Sequence, residues 1–243
     1  MRKPARIGVW HYQLVVYTKY NEPFLVATRT HNKTKDMGES IATSEILCGW
    51  ADLMMSYHPK SVLIADSYFL DLAGRRHVQE KSANIICAMN PSRVSDLDKY
   101  IKTGITDSGQ TNYAYNQTTN ESACYHWSTD TKIGKKLVLT TAFKKVSKST
   151  KKGALPAFDH YKGGFQGCDN FNRAIHGRTW PFRSGSAGKE GINGNIFNYH
   201  FTALLINTWH VYCALQKKQP KDVPFDQFTL KLAKGIVNTM RQP

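Results

Sequence analysis

An aspartate at the end of an apolar strand is the feature of this sequence best suited to chemistry. Val62-Leu63-Ile64-Ala65 runs directly into Asp66, and Ser67, Tyr68 and Phe69 follow. Four apolar residues without alternation read as a central strand covered on both faces. The carboxylate then falls at the strand's C-terminal edge, where open α/β sheets build their sites. A structural role competes with this one, because an Asp ahead of a helical segment can cap the helix by accepting from its free N–H groups. Two further stretches carry charge suited to polyanions. The run from 144 to 153 holds Lys144, Lys145, Lys148, Lys151 and Lys152, either as a solvated basic loop or as one that touches phosphates. Arg178-Thr179-Trp180-Pro181-Phe182-Arg183 is a basic and aromatic knot. Arg178 and Arg183 suit bidentate phosphate contact, while Trp180 could stack on an unpaired base or simply pack its loop onto the core.

Composition narrows the classes that these residues can serve. The net charge of +15, from 33 Lys and Arg against 18 Asp and Glu, favours polyanion partners, with nucleic acid first among them. Apolar residues make up 41% and aromatics 12% of the 243 positions, which is globular composition. No apolar run approaches the roughly 20 residues that span a bilayer. The basic start, Met1-Arg2-Lys3-Pro4-Ala5-Arg6, lacks the apolar stretch of a signal peptide. The five cysteines are scattered with no CxxC pair, which argues against a zinc knuckle or a disulfide framework and for a reducing compartment. The nine histidines show no metal-ligand spacing and read as surface or satisfied core residues.

The elements that must position Asp66 follow from local pattern. Residues 6–17 are β-branched and aromatic, and a turn at 18–23 leads to a return strand at 24–30, forming a hairpin. Thr43 or Ser44 with Glu45 opens a helix that runs to Tyr57 and stops at His58-Pro59-Lys60. After Asp66 come a helical segment around 70–78 and a strand at 83–89. Residues 90–134 read as an irregular insertion. A strand at 137–143 follows, then the basic loop at 144–153. Gly163-Gly164 is expected to end that connection, with helices at 165–175, 195–215 and 225–240 and a Gly/Ser-rich loop at 184–194. A mixed sheet that opens with a hairpin and is flanked by helices fits a single α/β domain of ribonuclease-H-like architecture.

Six segments, in order, resemble the catalytic core of piggyBac-type transposases. They are Lys3-Pro4-Ala5-Arg6-Ile7-Gly8, Ala65-Asp66-Ser67-Tyr68-Phe69, the strand from Leu137 to Phe143, Tyr161-Lys162-Gly163-Gly164-Phe165-Gln166-Gly167-Cys168-Asp169, Arg178-Thr179-Trp180-Pro181, and the helix from Phe197 to Leu215. The resemblance covers most of the chain. Such enzymes cut and join DNA with two divalent metals held by three aspartates, since Mg²⁺ prefers hard oxygen ligands. The second aspartate of the family matches Asp66. Its first falls at Val16 or Tyr17 and its third at Gln166, while Asp169 matches a further family acid.

The resemblance thus assigns catalytic and metal-ligating positions to Asp66 and Asp169, with Mg²⁺ the cofactor of any remaining activity. DNA contacts are expected from Arg178, Trp180 and Arg183 on their phosphate-binding and stacking chemistry, and from Lys144, Lys145, Lys148, Lys151 and Lys152 on the charge of their run. Val or Tyr cannot neutralise a cation pair, and Gln keeps an oxygen but loses the charge. Glu22, across the turn, and Asp36, in a loop, are the acids that could stand in. Asp169 has a structural reading too, as a first-turn acid favoured by the helix dipole. The family's N-terminal dimerisation and DNA-binding region and its Cys-rich zinc module have no counterpart, so a catalytic core alone is expected. The resulting expectation is a nuclear, transposase-derived DNA-binding domain, defective for cleavage and strand transfer, with no membrane partner and a homodimer left open. The alternatives are an active transposase or nuclease with altered metal ligation, and a protein-interaction scaffold.

Overall fold

Strand-forming and helix-forming runs separate into two compact units, 1–38 with 167–243 and 39–166. The computed structural model describes residues 9–32, 43–89, 111–116, 121–127, 135–142, 156–176 and 189–241. No helix among the described residues is long and apolar enough to cross a membrane.

In the first unit, β1 (Val9–Tyr17) and β2 (Pro23–Asn32) form the expected antiparallel hairpin, with an irregularity at Leu14 and Val15. Asn21 closes the turn at φ 61°, a left-handed conformation that Asn tolerates better than most residues, and its N–H donates to Thr18 O at 2.9 Å. Among the described residues, the hairpin is a two-stranded sheet, where the sequence reading had it open a mixed sheet. Phe171, Ile175, Ala203 and Ile206 cluster with Leu25 of β2, so helices cover the hairpin's apolar face. The helices concerned are Gly167–His176 and Lys189–Leu215. A 3-10 turn, Pro220–Asp222, then leads into the helix Phe225–Met240.

Among the described residues, the second unit holds a five-stranded sheet and three helices. These are α1 (Thr43–Tyr57), β3 (Leu63–Ala65), α2 (Leu72–Glu80), β4 (Ile85–Ala88), β5 (Thr111–Asn116), β6 (Glu121–Trp127), β7 (Lys135–Thr140) and α3 (Pro156–Phe165). Numbering continues with α4 (Gly167–His176), α5 (Lys189–Leu215) and α6 (Phe225–Met240) in the first unit. Strand order is β3-β4-β7-β6-β5, with β3 and β4 parallel and the rest antiparallel. The parallel pair is joined through α2, as a parallel pair requires a crossover.

Four features depart from the sequence reading, each for a physical reason. First, β3 ends the sheet among the described residues instead of lying at its centre. It lacks alternation because α1 and α3 both pack on it, with Leu63 and Ala65 buried and Ile64 packed on the cluster around Tyr161. Second, the stretch expected to be an irregular insertion supplies β5 and β6. Its Thr- and Tyr-rich runs have strand propensity without the apolar alternation that announces a strand. Third, α5 starts at Lys189, inside the expected Gly/Ser loop, so Gly191 and Gly194 lie in a helix despite their low helix propensity. Fourth, Gly163 and Gly164 lie within α3 and do not end it.

The glycine pair has a packing explanation. A methyl group on Gly164 would collide with the Ile64 side chain, so its absence lets α3 approach β3; one on Gly163 would meet no atom within 4 Å. The two positions should therefore respond oppositely to alanine. Gly163→Ala is expected to raise stability by up to about 1 kcal/mol, the ordinary helix-propensity gain. Gly164→Ala is expected to lower it by about 1 kcal/mol, because overpacking exceeds that gain. Urea unfolding of both variants checks this, and equal shifts would contradict the close approach.

Candidate functional site

Asp66 follows the last residue of β3 and is exposed. Its Oδ1 accepts from its neighbour Ser67, from the backbone N at 2.6 Å and from Oγ at 3.2 Å. Its backbone carbonyl accepts from Phe69 N at 3.1 Å and from the Cys87 thiol at 3.4 Å. Beneath it lie Cys87 on β4, fully buried, and Tyr161 on α3, 5% exposed. Burial first, and then the Asp66 charge, push both the thiol and the phenol up. Cys87 is thus held as a neutral thiol and not as a nucleophile. The Asp66 carboxylate, in turn, faces solvent while influencing the buried groups behind it.

Capping of α2 falls to a different aspartate. Asp71 Oδ1 accepts from Gly74 N at 2.9 Å with extended backbone at the cap. Asp66 lies one turn too early, closing the loop between β3 and α2, and is free of the capping duty that the sequence left open for it. Asp71→Ala is expected to cost about 1 kcal/mol, while Asp66→Ala shifts stability by less than about 0.5 kcal/mol. Thermal denaturation separates the two; a larger loss at Asp66 would reverse the assignment.

Asp169 belongs to the other unit. It sits exposed in the first turn of α4, where its charge complements the helix dipole. The strand end at which the family's first aspartate is expected carries Tyr17, whose hydroxyl accepts from Asn170 Nδ2 at 3.2 Å. Gln166 is an exposed residue joining α3 to α4. Glu22 stands in the hairpin turn, its N–H donating to Thr18 Oγ1 at 3.3 Å, beside a small polar cavity of about 220 Å³ that Asn170, Arg173 and His210 also line. Among the described residues, no three His, Cys, Asp or Glu side chains are grouped so as to hold a metal ion. Asp36, Arg178, Trp180, Arg183, Lys144, Lys145, Lys148, Lys151 and Lys152 lie outside the described residues.

The sequence reading missed a polar network on the hairpin. Gln13, 9% exposed, donates through Nε2 to Asn172 Oδ1 at 2.8 Å and also to the Tyr199 hydroxyl. Tyr199 stacks on His11 with centroids 3.9 Å apart, and His11 Nδ1 lies 3.0 Å from Thr30 Oγ1. Thr30 Oγ1 in turn lies 3.2 Å from His200 Nε2. Strand alternation already placed His11 and Gln13 on one face, and the register sets them opposite Thr30 and Thr28. That was the available signal; which helix residues cover the face was not.

Burial, and then the neighbouring His200, pull the His11 pKa from 6.5 down to about 4. The folded chain keeps this imidazole neutral, whereas the unfolded chain protonates it near 6.5. Stability is therefore full above pH 6.5 and falls as the pH drops toward 4. After discounting for partial exposure, the loss is about 1–2 kcal/mol. Urea denaturation of the wild type and of His11→Phe between pH 7.5 and 4 should show profiles that converge by that amount at low pH. Parallel profiles would mean that His11 is not held neutral.

No family model and no curated protein matches this sequence. A solved cryo-EM structure of the piggyBac transposase, in a synaptic complex with hairpin DNA, matches it with a TM-score of 0.65 at 10% identity. The match covers 98% of this chain and 54% of that one, so the chain spans about half the length of the transposase. What the two share is a mixed α/β fold.

Proposed function

We propose that this chain is a ribonuclease-H-like, piggyBac transposase-derived DNA-binding domain that is defective in metal-dependent cleavage and strand transfer and acts in the nucleus. The observation that carries the reading is the replacement of acids on a transposase-like fold. By the resemblance, Val16 or Tyr17, and Gln166, fall where two of three metal-bridging aspartates are expected. Two-metal chemistry needs carboxylates to neutralise the cations and to set them about 4 Å apart. A phenol hydrogen-bonded to Asn170 and an uncharged amide do neither. Among the described residues, the side chains at these positions do not fit a Mg²⁺ pair. Binding is supported by the +15 charge and by the basic segments at 144–153 and 178–183.

The test incubates the full chain with supercoiled and linear duplex DNA in Mg²⁺ or Mn²⁺, alongside Asp66→Ala. Expected is DNA binding by both proteins and nicking by neither. Metal-dependent nicking that disappears in Asp66→Ala would replace this reading with that of an active enzyme. Absence of DNA binding at low salt would leave the fold serving protein contacts alone.

A further inference from the structure

Helix α6 is anchored at one end and bare at the other. Phe225 meets Trp209 with ring centroids 5.5 Å apart, and Phe228 meets Tyr212 at 5.4 Å. From Ala233 through Arg241, by contrast, every residue is exposed. Ile236 exposes 52%, Val237 44% and Met240 81% of its surface. A free helical stretch shorter than about 12 residues has little stability of its own in water. Alongside this stretch runs a groove of about 510 Å³ walled by Tyr212, Phe228, Leu232, Gly235, Ile236 and Met240. No atom lies within 4 Å of where a Gly235 side chain would begin, so the groove is open at that point.

The surrounding charge says what kind of partner fits. Between 216 and 241 the chain carries Lys217, Lys218, Lys221, Lys231, Lys234 and Arg241 against only Asp222 and Asp226. Lys231 itself lines the groove. A second copy of this chain would bring the same basic rim and another +15 of charge, and so would oppose itself. Duplex DNA would satisfy the lysines but leave Ile236 and Met240 facing water or phosphate. An apolar stripe flanked by carboxylates satisfies both features at once.

We propose that the α5–α6 groove docks an acidic amphipathic helix from a partner protein. Its apolar side chains, at i, i+4 and i+7, would lie along Phe228, Leu232, Ile236 and Met240, and its carboxylates would reach the lysine rim. This surface is independent of the DNA reading above.

The probe is a fluorescein-labelled peptide of about 18 residues, five helical turns, with Leu at i, i+4 and i+7 spacing and Glu elsewhere. A scrambled peptide of the same composition and phosphatidylserine vesicles serve as controls. Expected is saturable binding of the striped peptide at least about tenfold tighter than that of the scrambled one. The double variant Ile236→Asp/Met240→Asp, which alters exposed positions only, should lose that preference, and Lys231→Glu/Lys234→Glu should weaken binding. Circular dichroism confirms that both variants fold. Equal affinity for the scrambled peptide would overturn the proposal, leaving plain charge attraction. So would a double variant that binds like the wild type, or stronger recruitment to vesicles. Self-association of the wild type that the double variant abolishes would overturn it in favour of a second copy.

Discussion

Raising salt from 50 to 200 mM is expected to weaken duplex binding by about three to four orders of magnitude. The estimate takes the seven basic side chains Lys144, Lys145, Lys148, Lys151, Lys152, Arg178 and Arg183 as one phosphate contact each. Each neutralised phosphate releases condensed counterions and contributes about −0.9 to the slope of log K against log salt, for a total near −6. Replacing the five lysines with Gln should flatten the slope by about 4 to 5 and weaken binding to all sequences alike, because phosphate contacts carry no base information. Trp180→Ala should spare duplex affinity and weaken single-stranded DNA by about 1–3 kcal/mol if its indole stacks on bases. Fluorescence anisotropy at four salt concentrations measures all three effects. A wild-type slope near zero would remove nucleic acid from the account. An unchanged slope in the five-lysine variant would move the contacts elsewhere on the chain.

The largest loss of stability is expected at Phe171→Ala. This ring is fully buried between the hairpin and α5, in one cluster with Leu25, Ile175, Ala203 and Ile206. Truncating it removes the transfer energy of the ring and leaves a cavity that rigid neighbours fill only in part, at about 3–5 kcal/mol. That is a large share of the roughly 5–15 kcal/mol that holds a domain folded. The first unit should therefore melt well below the wild type. Leu204→Ala, on the same side of the chain's order but 63% exposed, should shift stability by less than about 0.5 kcal/mol. Calorimetry or urea unfolding distinguishes them. A loss of under 1 kcal/mol at Phe171 would mean that the hairpin and α4 do not share a core.

Both expectations start from residues whose environments the sequence foreshadowed unevenly. The helix Thr43–Tyr57 and the hairpin are encoded by neighbours in the chain: a 3.6-residue apolar period, and β-branched runs around a polar turn. Other features depend on what packs where. The glycines of α3 look like a break until Ile64 is seen to occupy the space that a side chain would need. The sequence offered Asp66 as a cap, and the course of the loop hands the helix to Asp71 instead. The His11–Tyr199 stack joins β1 to α5 across most of the chain, a pairing that no local window contains.

From the sequence alone came the residue types that the resemblance compares: Asp66 after an apolar strand, and Val16 or Tyr17 and Gln166 where the resemblance expects acids. Charge is a property of residue type, so that comparison needed no coordinates. The tertiary structure decided the surroundings: Cys87 and Tyr161 kept neutral behind Asp66, a neutral histidine on the hairpin, and an α6 whose second half is left uncovered. Those depend on burial and on contacts between residues far apart in sequence, which exist only once the chain has folded.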